Sequence, residues 1–218
     1  MSRPPGPPET REVAIGSLRL PGILEVPQPS RGIVLFAHGS GSGRFSPRNN
    51  FVARAMHDKA LATLLLDLLT EEEAGDRRNV FDIALLAERL LMATSWVRQE
   101  PDTAGLPVCY FGASTGAAAA LVAAADAGAI GAIVSRGGRP DLAGADLARV
   151  VAPTLLIVGG ADPAVLDLNR AALAELPGEK QLVVVPGATH LFEEPGALER
   201  VVELAGNWFA SHLAEATV

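Results

Sequence analysis

The sequence predicts an α/β fold, in which a mainly parallel sheet carries helices on both faces. Short apolar runs at 32–37, 62–66 and 154–158 contain no charged side chain, as is typical of strands whose two faces are both covered. The segments between such runs carry apolar residues at helical spacing, most plainly at 80–98. This alternation of strand and helix patterns indicates βαβ units.

The N-terminal part departs from the alternation. Residues 1–9 contain four prolines and are predicted to form a flexible arm, which leaves residues 10–218 as a single domain. Residues 12–26 have the pattern of an antiparallel hairpin, and Pro21 in its second run favours an edge strand or a bulge. The sheet then has about eight strands. Further strands are predicted at 108–111, 130–135 and 181–185, and helices at 48–60, 80–98, after 114, at 165–176 and at 195–213.

The composition is that of a folded protein without export signals. Hydrophobic residues make up 49% of the 218 positions, which excludes intrinsic disorder. No apolar run has the length of a membrane span, and one cysteine, Cys109, fits a reducing compartment, so a cytoplasmic location is expected. A net charge of −7 makes nucleic acid and anionic membranes poor partners. We expect a small-molecule substrate and a monomer or homodimer.

The stretch 106–121 carries the strongest functional signal. An apolar strand runs into Gly112-Ala-Ser-Thr-Gly116, and Ala-rich helical sequence follows. In this strand–turn–helix context the G-x-S-x-G pattern predicts a strained turn that presents Ser114 as a nucleophile at a helix N-terminus. A tight turn in which Ser114 merely caps the helix is the plain alternative.

A serine nucleophile needs a histidine base and a carboxylate that orients it. His190 follows the last strand through a Pro-Gly turn and is the predicted base. Asp162 follows strand 154–158 and is the predicted carboxylate, because the expected chain order is serine, acid, histidine. Asp141 is the second choice, and Asp167 is less favoured. The other histidines are expected to brace a loop (His38) or to be solvated on helices (His57 and His212).

The tetrahedral intermediate needs backbone N–H donors. Thr115 begins the helix after Ser114 and is one predicted donor, and Ser40 in the glycine-rich segment 38–43 is the other, with Gly41 as the alternative. The same glycines could instead cradle a phosphate after a strand. That reading is weak, since position 44 is arginine where the dinucleotide fingerprint needs glycine, and the Gly-Lys-Ser/Thr of a P-loop is missing.

Over about residues 12–213 the chain resembles the α/β-hydrolases, and among them the serine-bearing, cap-less hydrolases grouped with the dienelactone hydrolase family. The motifs that carry the resemblance are HGSGSG at 38–43, GASTG at 112–116, GGAD at 159–162 and GATH at 187–190. The resemblance implies an α/β-hydrolase fold without a cap domain and a triad of Ser114, Asp162 and His190. True dienelactone hydrolases carry a cysteine at the turn and a glutamate in the loop after the first of the parallel strands, where this chain has Ser114 and HGSGSG.

The substrate is less well defined by the sequence. Only residues 136–151 separate two strands where larger caps usually enter, which predicts an open, shallow site for small or short-acyl esters. Four arginines (Arg44, Arg48, Arg136 and Arg139) lie near the catalytic edge and could hold a substrate carboxylate or phosphate. Pairing with Asp67 and the acidic residues 71–73 is the alternative role for them. We therefore count Gly41, Arg44 and Arg136 as candidate substrate-binding residues.

Together these features predict a serine hydrolase that cleaves carboxylic esters through an acyl-enzyme, with no metal or organic cofactor. An amidase, peptidase or thioesterase could use the same triad, because the leaving group is selected by pocket shape. A non-catalytic binding protein on the same fold is the remaining alternative.

Overall fold

The structure is a computed structural model that describes residues 8–213, and the greater part of the predicted arm, at 1–7, lies outside this range. Eight strands form one sheet in the order β1-β2-β4-β3-β5-β6-β7-β8. The pairs β1–β2 and β2–β4 are antiparallel, and all other neighbours are parallel. The strands are β1 Glu9–Ile15, β2 Leu20–Val26, β3 Ile33–Ala37, β4 Ala62–Leu66, β5 Val108–Ala113, β6 Ile133–Arg136, β7 Thr154–Gly159 and β8 Lys180–Val185.

Helices cover both faces of this sheet and bury two separate apolar cores. One core packs α3, α4 and α5 against the sheet, and the other packs α1 and α6 against the opposite face. The helices are α1 Pro47–His57, α2 Glu71–Ala74, α3 Ile83–Val97, α4 Thr115–Asp126, α5 Pro163–Glu175 and α6 Ala197–His212. Short 3₁₀ segments lie at Asn79–Phe81 and Pro140–Arg149. No helix within residues 8–213 combines the length and the apolar character that crossing a membrane would require.

The predicted fold class is confirmed, including the N-terminal hairpin and the parallel order of the later strands. The expectation for Pro21 is wrong, because β2 lies between β1 and β4 rather than at an edge. Pro21 is tolerated because it is the second residue of β2 and its carbonyl accepts the N–H of Asp67, just beyond the end of β4. The segment after β4, for which no helix was predicted, contains α2, whose N-terminus is capped reciprocally by Thr70 and Glu73.

Helix α4 lies unusually close to strands β3 and β5. A Cβ on Gly112 would overlap Ala117 of the helix, and a Cβ on Gly116 would overlap the carbonyl of Ala37 at the end of β3. Only glycine at both positions lets the helix start directly above the sheet, where the turn at 114 is made. These contacts fix the position of the α4 N-terminus.

The three histidines outside the predicted triad are largely covered, and His38 and His57 are buried. His57 at the end of α1 is 8% exposed and its Nε2 lies 2.9 Å from Thr63 Oγ1, so the expectation of a solvated helix residue is wrong. His212 is also largely covered, with its ring against Trp208. Burial lowers the pKa of His57, although Glu25 and Asp58 act in the opposite direction. Burial likewise lowers the pKa of His38.

We predict that Gly116→Ala lowers the free energy of unfolding by about 2 kcal/mol or more, because the new methyl group meets backbone that cannot move aside. Urea denaturation measures this. Gly206→Ala is the control, since a Cβ there meets only the flexible side chains of Lys59 and Met56 at ordinary distances. That variant should be neutral or more stable because alanine favours helix. Equal stability of the two variants would contradict the packing described for α4.

We also predict that the free energy of unfolding falls as pH decreases from 7.5 to 5.5. A histidine whose pKa is lowered in the folded state is protonated more readily in the unfolded chain, so its contribution is complete above about pH 6.5 and is lost below it. His38 and His57 should each contribute up to about 1.4 kcal/mol per pH unit in this range. Urea denaturation at both pH values should show a smaller decrease for His57→Gln than for the unchanged protein. An identical decrease in both would show that His57 is not involved.

Candidate active site

Ser114 lies at the junction of β5 and α4 with φ 51° and ψ −122°, a strained conformation for a residue that carries a side chain. Its N–H donates to the carbonyl of Arg136 (3.4 Å), and its carbonyl accepts from Arg139 (3.1 Å) and Ala117 (3.1 Å). Its side chain makes no capping hydrogen bond to α4. The plain alternative, a serine that caps the helix, is therefore wrong.

Asp162 and His190 meet above the neighbouring strands. Asp162 follows β7 and His190 follows β8, and His190 Nδ1 lies 2.8 Å from Asp162 Oδ2. The two loops are joined by backbone, since Ala161 N–H donates to the carbonyl of Ala188 (2.9 Å). Gly159 makes this close approach possible, because a Cβ there would overlap Ala188. Asp162 thus fixes the imidazole through Nδ1, and Nε2 is left available for another partner.

The segment after β6 lies between this pair and Ser114. Gly137 has φ 50°, and a Cβ on it would come within 2.9 Å of the His190 carbonyl, so the histidine loop packs directly on it. The same segment binds the Ser114 backbone on its other side, through Arg136 and Arg139. Within residues 8–213 no hydrogen bond joins the Ser114 hydroxyl to the His190 ring. Ser114 thus lies next to the Asp162–His190 pair, but the hydrogen bond from its hydroxyl to the His190 ring is not formed.

The glycine-rich loop after β3 runs along the opposite side of Ser114. A Cβ on Gly39 would lie 2.9 Å from the Ser114 Cβ. His38 braces this loop, as expected: its Nδ1 lies 2.9 Å from the Gly39 carbonyl, and its Nε2 accepts the N–H of Leu68 at 3.0 Å. Ser40 and Gly41 make no backbone hydrogen bond through their N–H groups within residues 8–213.

The arginines near the catalytic edge differ in their partners. Arg44 pairs with Asp67, Arg139 with Asp141 at 2.8 Å, and Arg48 with Glu193 at 2.9 Å. Arg136 is 6% exposed and has no carboxylate partner among the described residues. The predicted pairing with acidic residues thus applies to Arg44, whereas Asp141, the second choice for the triad acid, is engaged by Arg139.

The guanidinium of Arg136 is buried without a negatively charged partner among the described residues. Its Nε is buried without a hydrogen-bond partner, and one Nη is 3.5 Å from Asn49 Oδ1, at the first turn of α1. Burial, together with the positive charge of Arg48, lowers the pKa of Arg136 to about 10.

Cys109 is buried in β5, and burial raises its thiol pKa to about 12, so it offers no thiolate.

A cavity of about 300 Å³ opens beside the glycine-rich loop. Ser40 and Thr115 form part of its wall. Its apolar wall includes Leu69, Val80 and Leu86, which were not predicted to lie at the site. The loop after β6 is short, but this side of the site is covered by the segment 67–82, so the site is less open than the sequence predicted. Because that segment is rich in acidic residues, its sequence offered no indication that it covers a cavity.

Known structures show the same architecture. No family model matches the chain. The crystal structure of a dienelactone hydrolase from Anabaena variabilis is 53% identical, covers 97% of this chain and 100% of its own, and superposes with a TM-score of 0.91. A serine hydrolase without a lid from Xanthomonas campestris has a TM-score of 0.76 over 97% of this chain and 98% of its own, but at 21% identity it shows the fold alone.

Curated relatives from two strains of Mycobacterium tuberculosis are 61% identical over 211 residues, which is 96% of this chain and 48% of theirs. Their names assign them provisionally to the phosphoribosyl transferases. The chain therefore spans about half the length of these relatives, and their other half has no counterpart in the match. The resemblance to the Anabaena hydrolase extends over both full chains, and on that ground this protein belongs to the dienelactone hydrolase family of cap-less α/β-hydrolases.

Proposed function

We propose that the protein is a serine hydrolase that cleaves carboxylic esters through an acyl-enzyme formed on Ser114. One observation carries the proposal: the hydrogen-bonded pair of Asp162 and His190 lies beside a serine held in a strained turn at a helix N-terminus. These three residue types in this relation are those of a nucleophile, its base and the group that orients the base. Membership of a hydrolase family supports the same chemistry.

In the proposed first step His190 Nε2 takes the proton of the Ser114 hydroxyl while the Oγ attacks the ester carbonyl carbon. Asp162 accepts the hydrogen bond of Nδ1–H and stabilises the imidazolium. The C–O bond to the alcohol then breaks, and His190 returns the proton to the leaving oxygen. Water releases the acid by the same steps. Substrate binding must close the open contact between Ser114 and His190, as often happens to catalytic hydrogen bonds on complex formation.

The oxyanion is proposed to bind the N–H groups of Thr115 and Ser40, with Gly41 as the alternative to Ser40. The first N–H groups of α4 have no acceptor within the helix, and the helix dipole favours negative charge there. Ser40 follows Gly39, which packs so near the nucleophile that a Cβ on it would lie 2.9 Å from the Ser114 Cβ. Donors placed on both sides of the nucleophile favour stabilisation of a tetrahedral intermediate.

The same machinery would serve an amide or a thioester, and those substrates remain alternatives within the proposal. The transferase name of the Mycobacterium tuberculosis relatives belongs to proteins about twice as long as the matched region. We assign hydrolase chemistry to this chain because the Asp162–His190 pair and the strained serine lie inside it.

Arg136 supports a more specific proposal, the binding of an anionic group of the substrate. A buried guanidinium without a carboxylate is costly, and a bound carboxylate or phosphate would offset that cost. Arg48 and the N-terminus of α1 add positive potential at the same place. Because β6 lies on the His190 side of Ser114, the anionic group belongs to the alcohol portion of the ester. Arg44, already paired with Asp67, is the weaker candidate.

We predict that Ser114→Ala lowers turnover of an activated ester by on the order of 10⁶-fold, because the three groups act as a unit. Asp162→Asn should lower it by about 10⁴-fold. Steady-state kinetics measure both losses, and a fluorophosphonate probe followed by peptide mass spectrometry locates the adduct. Ser211→Ala, which changes a serine on α6, outside the strained turn at Ser114, is the matched control and should keep full activity and labelling. An unlabelled Ser114 would leave the non-catalytic binding protein as the better reading.

We predict that Arg136→Met lowers kcat/KM for an ester with a carboxylate on its alcohol portion by about 10- to 100-fold, the strength of a charge-assisted hydrogen bond. The neutral ester and one with the carboxylate on its acyl portion should be unaffected. Folding should be as stable or more stable, because an unpaired buried charge is removed. Arg139→Met, at a residue paired with Asp141, is the control. Equal losses on all three esters would exclude anion recognition by Arg136.

A further inference from the structure

We propose that the cavity beside the glycine-rich loop binds the acyl chain of the ester, so that the protein prefers esters of medium-length or aryl-terminated hydrocarbon acids. This inference rests on the proposed function and names the substrate class of the same site. It departs from the short-acyl preference that the sequence predicts. The reasons are the lining of the cavity, its position relative to His190 and the way its cover is held.

The lining fits hydrocarbon. The larger apolar side chains of the lining are Leu69, Val80 and Leu86, and Ala74 and Pro21 complete its apolar part. A cavity of about 300 Å³ reaches the lower end of the range for small-molecule sites, which is enough for several methylene groups or one aromatic ring. The charged residues in the lining are Arg44 and Asp67, which pair with each other, and Glu71. Glu71 adds negative charge without a guanidinium partner among the described residues, which disfavours an acyl chain that ends in a carboxylate.

The position of the cavity separates the acyl group from the leaving group. Most of its lining comes from the segments after β3 and β4, whereas Asp162 and His190 follow β7 and β8. Strand β5, which leads to Ser114, lies between these two sets. His190 must reach the leaving oxygen to return its proton. The alcohol therefore leaves on the β6 side. The cavity, which adjoins the N-terminal residue of α4 across from His190, receives the other substituent of the carbonyl carbon.

The cover over the cavity is fixed rather than loose. Glu73 on α2 accepts hydrogen bonds from Arg89 of α3 (2.6 Å) and from the N–H of Thr70 (3.0 Å). The bond from Thr70, together with Arg89, lowers the pKa of Glu73, so this carboxylate stays ionised. At the other end of the segment, Asp67 accepts from Arg44. A cover held at Asp67 and at Glu73 sets a definite length limit on the acyl chain.

The test compares esters of one alcohol with acyl groups from acetyl to octanoyl, in the unchanged protein and in Val80→Trp. We expect kcat/KM to rise by up to about fourfold per methylene until the cavity is filled. Val80→Trp should remove that rise and lower octanoyl turnover by about 10-fold or more, with acetyl turnover unchanged. Phe81→Trp is the matched control, since Phe81 is the next residue, is 57% exposed and is not part of the cavity wall.

A second series varies the alcohol with the acyl group fixed, and it should show no dependence on position 80. Ala74→Leu, at an exposed position of α2, is the second variant should Val80→Trp fold poorly. A loss that follows alcohol length, or an equal loss in Phe81→Trp, would overturn the assignment of the cavity. So would a flat acyl series in the unchanged protein. Fluorophosphonate labelling of Ser114 distinguishes failure of the proposed function from failure of the acyl-site proposal. If Ser114 is not labelled, the proposed function fails, and if it is labelled, the ester series tests the acyl site alone.

Discussion

The close packing of α4 on the sheet is the constraint on which the site depends. Gly112 and Gly116 have no Cβ where the helix meets the ends of β5 and β3, and the chain between them must turn within a few residues. The positive φ of Ser114 is the consequence of that short connection. A larger residue at either glycine would lift the helix, relax the turn and move the hydroxyl and the first helical N–H groups together. The strain at Ser114 is therefore maintained by the packing of α4 on β3 and β5 at Gly112 and Gly116.

The order of the strands determines on which side of Ser114 each group of site residues lies. Because β5 lies near the middle of the sheet, the loops on its β6 side bring the Asp162–His190 pair, and those on its β3 side bring the glycine-rich loop and the cavity. In the proposed mechanism, proton transfer and departure of the alcohol then take place on one side of Ser114, and oxyanion and acyl binding on the other. No cap domain is needed for this division, since it follows from parallel strands that all end at one edge.

The sequence contained the fold and the catalytic candidates because local patterns determine both. Unbroken apolar strands, the G-x-S-x-G turn and the polar residues that follow β7 and β8 can each be read within a few positions. The cavity could not be read in this way. Leu69 and Val80 come from a segment rich in acidic residues and Leu86 from α3, and long-range contacts such as that of Glu73 with Arg89 bring them to one wall. Burial of His57 was missed for a similar reason, because it depends on packing against β2 and β4.

His38 joins the two functions on the β3 side. Its Nε2 accepts the N–H of Leu68, so the proton is on Nδ1, which donates to the Gly39 carbonyl. The neutral ring thus ties the loop beside Ser114 to the start of the segment that covers the cavity. Arg44 makes a second tie within the same pair of loops, since its N–H donates to Asp67 Oδ1 at 2.7 Å. If the cavity holds the acyl chain as proposed, the same contacts fix its cover relative to the proposed oxyanion donors, so a fully bound acyl chain would also hold its carbonyl oxygen near them.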